Sequence, residues 1–121
     1  MTAAPDPKVS IILTTYNFAR YAREAVLSLL NQRNAPSFEL IVLDDASTDG
    51  TLETLNDIVD ARLHVHRNSQ NLGVATTLTN AFALARGTYI ARLDGDDRWR
   101  PDFLNLTCAA LDADQIGRAH V

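Results

Sequence analysis

The chain has 121 residues, 46% of them hydrophobic and 21% charged, the composition of one soluble globular domain. Its formal net charge of −4 excludes a broad electrostatic grip on nucleic acid or on an anionic membrane surface. The single cysteine, Cys108, excludes an internal disulfide and fits a reducing compartment. No run approaches the ~18 apolar residues of a membrane span, and Met1–Lys8 lacks the apolar core of a signal peptide, so a cytoplasmic location is expected for this chain.

Val9–Thr15 (VSIILTT) is a compact apolar run rich in β-branched residues, too short for a helix, and predicts a strand buried on both faces. From Tyr21 the period changes. Ala22, Ala25, Val26, Leu29 and Leu30 make one apolar helical stripe, ended by Asn34 to Ser37 with Pro36. Phe38–Leu43 (FELIVL) predicts a second buried strand. In the loop beyond it Ser47, Thr48 and Asp49 are all good helix caps, and Leu52, Leu55, Ile58 and Val59 mark a helix. Arg62–His66 predicts a short third strand and Asn68–Gly73 a polar loop. Val74, Ala75, Leu78, Ala81, Phe82 and Ala85 give another helical stripe, with Gly87 as its C-cap. Thr88–Leu93 predicts the fourth strand and Asp102–Leu111 a last helix.

This alternation with short links predicts an α/β domain, a mostly parallel sheet with helices on both faces and right-handed crossovers. Ligands of such sheets gather at the carboxyl ends of the strands. Two acidic clusters fall there: Asp44 and Asp45 after the second strand, and Asp94, Asp96 and Asp97 after the fourth. Aspartate disfavours strands, and like charges this close repel one another. One such cluster reads as easily as a solvated turn; two at one sheet edge point to a ligand. A hard divalent cation, magnesium or manganese, relieves the repulsion and holds phosphate oxygens at its open positions.

Other readings fit less well. Neither GxGxxG nor GxxxxGK[ST] occurs, so dinucleotide-fingerprint and P-loop sites fail. DASTDGTLETLN opens like a calcium loop at Asp45, but Asn56 stands where that loop needs Glu, and a strand precedes it. A phospho-receiver domain would match the length and the acid pair, yet the sole lysine, Lys8, lies before the first strand. RLDGDDR resembles the strand-end DxD of haloacid-dehalogenase-type phosphatases, which carry it on the first strand rather than the fourth; this is the enzyme alternative. His64 and His66 alternate on one strand and so share a face, more often an edge strand's polar face than a metal pair. Cys108 reads as a small buried hydrophobe, and Trp99 as a packing or loop-anchoring residue.

VSIILTTYN (9–17), SLLNQ (28–32), FELIVLDDASTDGT (38–51), NLGVATTL (71–78) and ALARGTYIARLDGDD (83–97), with Pro101-Asp102 beyond, stand in order over nearly all of residues 9–104. Together they resemble the start of the inverting, nucleotide-sugar-dependent glycosyltransferases called family 2. The resemblance implies the Rossmann-like, nucleotide-binding half of an A-type fold. It implies that Thr14 and Tyr16 contact the nucleotide base, and that Asp45 accepts a hydrogen bond from a base imino group while Asp44 supports that loop. It extends nucleotide contacts to Asn17, Asn71, Gly73, Asp94 and Asp96, and a Mg or Mn ion to Asp96 and Asp97. Thr14 and Ala46 stand where the family commonly has proline and glycine, and Leu78 and Thr79 where it has arginine and asparagine.

On this reading, residues 1–121 are one domain, the donor-binding portion of a larger catalytic domain whose acceptor half and catalytic base are absent. The partner is a nucleotide-diphosphate sugar, with a UDP-sugar favoured. A surface left bare by the absent half would favour self-association. The non-enzyme alternative is a nucleotide- or metal-binding remnant or interaction module.

Overall fold

The computed structural model describes residues 6–32 and 36–94. Asn34, Asp96, Asp97, Trp99, Cys108 and the helix expected at 102–111 lie outside the described residues. Four strands, β1 (Val9–Thr15), β2 (Phe38–Asp44), β3 (Leu63–Arg67) and β4 (Tyr89–Asp94), form one parallel sheet in the order β3-β2-β1-β4. Helix α1 (Ala22–Leu30) covers one face and α2 (Val74–Leu84) the other. The expected α/β architecture with helices on both faces is the one observed.

The unbroken apolar runs of β1 and β2 follow from their central position. Val9, Ile11 and Leu13 point at Ala25, Val26 and Leu29 of α1, with Leu40 and Val42 beside them. Ile12, Leu43 and Ile90 point the other way, onto Ala81, Leu78 and Phe82 of α2. Ile11, Ile12, Leu13, Leu29 and Leu40 are fully buried, and each contributes about 1.5–3 kcal/mol of hydrophobic stabilisation. Edge strand β3 is half exposed, as its polar alternation requires.

Two expectations are corrected. The helix over Leu52 to Val59 is only a 3-10 turn, Leu52–Leu55. The Arg23 guanidinium takes the Thr54 carbonyl (3.0 Å) and pairs with Asp57, so that carbonyl has a partner other than the next helical turn. Val59 is left 97% exposed, off the stripe. Gly87 is not the C-cap of α2, which is Ala85. A Cβ on Gly87 would stand 2.5 Å from the Ser10 backbone nitrogen, so glycine is needed there for close approach.

That approach builds a polar clamp at the amino end of the sheet. The Ser10 hydroxyl donates to Glu39 Oε2 (2.6 Å) and accepts from the Gly87 amide (2.7 Å). The Arg86 amide and its Nε donate to Glu39 at 2.8 and 3.2 Å. Burial pushes the Glu39 carboxyl up, but the Ser10 hydroxyl and Arg86 outweigh it and hold it below the usual range.

Candidate functional site

At the opposite, carboxyl end of the strands lies a cleft of about 380 Å³, lined by Thr14, Tyr16, Phe18, Asp45, Val74, Thr77 and Arg92 among others. Parallel pairing puts the ends of β1, β2 and β4 side by side, with Thr14 opposite Leu43 and Asp94. The edge is the one at which α/β sheets bind ligands. Thr14 is half-buried on the α2 face of β1, and Tyr16 projects beyond the strand, 43% exposed.

The two aspartates after β2 do different things. Asp44 is fully buried and closes its own loop, accepting from the Thr15 hydroxyl (2.7 Å), the Ser47 amide (2.8 Å) and the Ser47 hydroxyl (2.5 Å). Asp45 turns into the cleft. Its Oδ1 accepts from the Leu72 amide (2.7 Å) and from Asn68 Nδ2 (3.0 Å), and its Oδ2 from the Gly73 amide (3.0 Å). Burial raises its pKa, and the Leu72 amide, Asn68, the Gly73 amide and the Thr77 hydroxyl together overcome that and hold it below the usual carboxylate range. The group facing the cleft is therefore a carboxylate at neutral pH.

The loops on either side are stitched together by the residues that resembled helix caps. Asn17, at φ 54°, donates its amide to the Ser47 hydroxyl (2.8 Å) and accepts from the Thr48 amide (2.8 Å) at its side-chain oxygen. Asp49 accepts from the Ala19 and Thr51 amides at 3.0 and 3.1 Å. The 3-10 turn starts with no side-chain cap; Ser47 and Thr48 meet Asn17 across the loops, and Asp49 meets Ala19 across them and Thr51 within its own turn. Ala46, at φ 60°, occupies the left-handed region where the related motif has glycine.

Gly73, at φ 90°, is the N-cap of α2, and its backbone angle suits glycine. The Asn71 side-chain amide reaches the Asp45 carbonyl at 3.4 Å, so Asn71 and Gly73 brace the wall of the cleft. Asp94 ends β4 at the cleft's edge.

Sequence reasoning singled out neither Asn68, Thr77 nor Arg92. Arg92 is legible in the two-residue period of β4: it falls on the α2 face with Ile90, level with Ile12. It is the one cation and Asp45 the one carboxylate among the described lining residues. His64 and His66 share a face, lining a separate groove with Glu39 and Arg86. Among the described residues no group of three or more His, Cys, Asp or Glu gathers as a metal site. No described helix is long and apolar enough to cross a membrane.

Residues 10–117 match the model of the family described as glycosyl transferase family 2. A Bacillus subtilis (strain 168) protein named for teichuronic acid biosynthesis, TuaG, is 41% identical over 100 residues, covering 81% of this chain and 39% of its own length. The structure superposes on S. aureus TarS in complex with UDP with a TM-score of 0.78 and 32% identity, over 89% of this chain and 33% of that one. It superposes on the mannosyltransferase PcManGT from Pyrobaculum calidifontis, in complex with GDP-Man and Mn2+, with a TM-score of 0.70 and 31% identity, over 79% of this chain and 30% of that one. The chain thus spans 30–39% of the length of these matched chains.

Proposed function

Because the chain belongs to glycosyl transferase family 2, we propose that its strand-end cleft holds the nucleoside diphosphate of a sugar donor, a UDP-sugar by preference, for inverting transfer. The observation that carries this is an ionised, cleft-facing Asp45 beside the exposed ring of Tyr16. A flat base with an imino N–H satisfies both, stacking on or flanking the ring and donating to the carboxylate. Thr14 lines the same cleft, within reach of such a base in this reading. Similarity to proteins solved with UDP, with UDP-GlcNAc and with GDP-Man supports a nucleotide-sugar ligand.

Asp96 and Asp97 are the groups that would hold Mg or Mn, and Asp94, described as the last residue of β4, would contact the nucleotide. A divalent ion there would supply positive charge to the departing diphosphate. The chain's own residues fix the base at the other end of the donor, so that the anomeric carbon is presented in one orientation. A base outside the cleft would then deprotonate an acceptor hydroxyl for attack opposite the diphosphate.

Asp45→Ala tests the reading by titration calorimetry. It should lower affinity for UDP about tenfold or more, the loss of one charge-assisted hydrogen bond, and change affinity for inorganic pyrophosphate far less. Equal losses for both ligands would put Asp45 at the phosphates and refute the base assignment. A chain that binds no nucleoside diphosphate at all would leave the remnant or interaction-module alternative standing.

A further inference from the structure

Asn68 follows β3 directly, and its backbone amide donates to the Asp44 carbonyl (2.8 Å), adding a rung to the β2–β3 ladder. With its backbone pinned, the carboxamide reaches across to two elements at once. Nδ2 donates to Asp45 Oδ1 (3.0 Å) and to the Thr77 hydroxyl oxygen (2.9 Å), and Thr77 on α2 is 1% exposed. A carboxylate only accepts, so the nitrogen, not the oxygen, must face Asp45. The Thr77 oxygen is thereby used as an acceptor, and the Thr77 hydroxyl is one of the groups that hold the Asp45 carboxyl down.

The donors on Asp45 are unequal. The Leu72 and Gly73 amides are fixed by backbone, and Asn68 is fixed by its two partners. The Thr77 hydroxyl rotates, and of these four residues Thr77 is the one that lines the cleft. A ligand N–H that reaches Asp45 from the cleft therefore approaches beside Thr77. We propose that Asn68 and Thr77 are positioning residues that aim the Asp45 carboxylate at a ligand N–H, and so select nucleotides whose base edge carries an imino donor over those with a ring acceptor there. The inference rests on the cleft being a nucleotide site. Uracil and guanine present an imino N–H; cytosine and adenine present a ring nitrogen lone pair, which would leave two acceptors facing each other. A site that must pair a polar group discriminates more strongly than one that merely fits a shape.

The test compares UDP, CDP and inorganic pyrophosphate on the whole chain with Mn2+ present, with thermal unfolding confirming that each variant is folded. The native chain should prefer UDP to CDP. Asn68→Ala should cut the UDP-to-CDP affinity ratio by about tenfold while leaving pyrophosphate within about twofold, since the lost interaction is worth one hydrogen bond to a charge. Thr77→Val, nearly isosteric, should cut the ratio in the same direction, and Thr77→Ser should restore it. A ratio unchanged in both Asn68→Ala and Thr77→Val overturns the proposal. Equal weakening of all three ligands also overturns it, reducing Asn68 to a structural prop. A native chain that binds pyrophosphate but neither nucleotide, or no ligand at all, refutes the nucleotide site itself and the inference with it.

Discussion

Asp44 and Asp45 are adjacent, chemically identical and used oppositely, one sealed into its loop and one turned outward. The difference is set by donors: Asp44 meets Thr15 and Ser47 from its own side of the sheet edge, and Asp45 meets the loop that leads into α2. Acid should expose this arrangement in the stability of the fold. Glu39 and Asp45 lie below the usual carboxylate range in the folded chain, and Asp60 is held at about 2 by hydrogen bonds from Arg62. Each folded value is below the unfolded one, so the unfolded chain binds more protons as pH falls. Their stabilisation is full above about pH 5 and is lost progressively down to about pH 2. Glu39→Gln should cost about 1–3 kcal/mol at pH 7 in urea denaturation and less at pH 2. A cost equal at both pH values would show that packing, not charge, accounts for Glu39. At the other cluster, Asp96→Asn or Asp97→Asn should lower Mn2+-dependent UDP affinity by about 1.5–3 kcal/mol without changing the unfolding temperature. Unchanged metal dependence in both would remove these residues from the metal site.

At the scale of elements, the strands are the most legible part of the chain. Ile11 to Leu13 and Leu40 to Leu43 are apolar without alternation because helices cover both faces, and a strand with one wet face would have to alternate. The turn after β2 reads as a helix because its leucines carry the helical period, whereas Arg23, distant in sequence, takes the Thr54 carbonyl. Gly87 reads as a helix stop for a similar reason. Local signals identify a glycine near a helix end, but only the packed sheet brings the Ser10 backbone against it. Gly87→Ala should therefore destabilise by about 1–3 kcal/mol or more, the cost of overpacking against backbone that cannot yield. An alanine variant as stable as the parent would mean that the clamp of Ser10, Glu39 and Arg86 shifts freely. In the cleft, Asp45 and Tyr16 are visible as strand-end residues, while Asn68 and Thr77 are not. Their meaning lies in a carboxamide that joins β3, the β2 loop and α2, and no periodicity in the chain announces such a meeting.

For the molecule as a whole, the cleft offers a ligand an unequal set of groups. Among the described lining residues the single carboxylate is Asp45, already engaged by several donors and aimed at the base in the proposed reading. Other described acids are placed elsewhere: Glu39 at the far end of the sheet, Asp44 inside its loop, Asp57 and Asp60 paired with arginines. Sugar transfer needs a proton acceptor within about 2.6–3.2 Å of an acceptor hydroxyl, besides a held leaving group. Asp94, Asp96 and Asp97 belong to the diphosphate and metal in that reading, which leaves no acid among the described cleft-lining residues for the base. A chain lacking both base and acceptor positioning would lose several powers of ten in rate, since each alone is worth about 10² or more. The 121-residue chain is thus expected to bind UDP and to show no multiple-turnover transfer from a UDP-sugar to an added acceptor, followed by UDP release and product mass. Slow donor hydrolysis, with water as the acceptor, fits the same expectation. Many turnovers onto an added sugar would overturn it, and would require that an acid of this chain serve as the base.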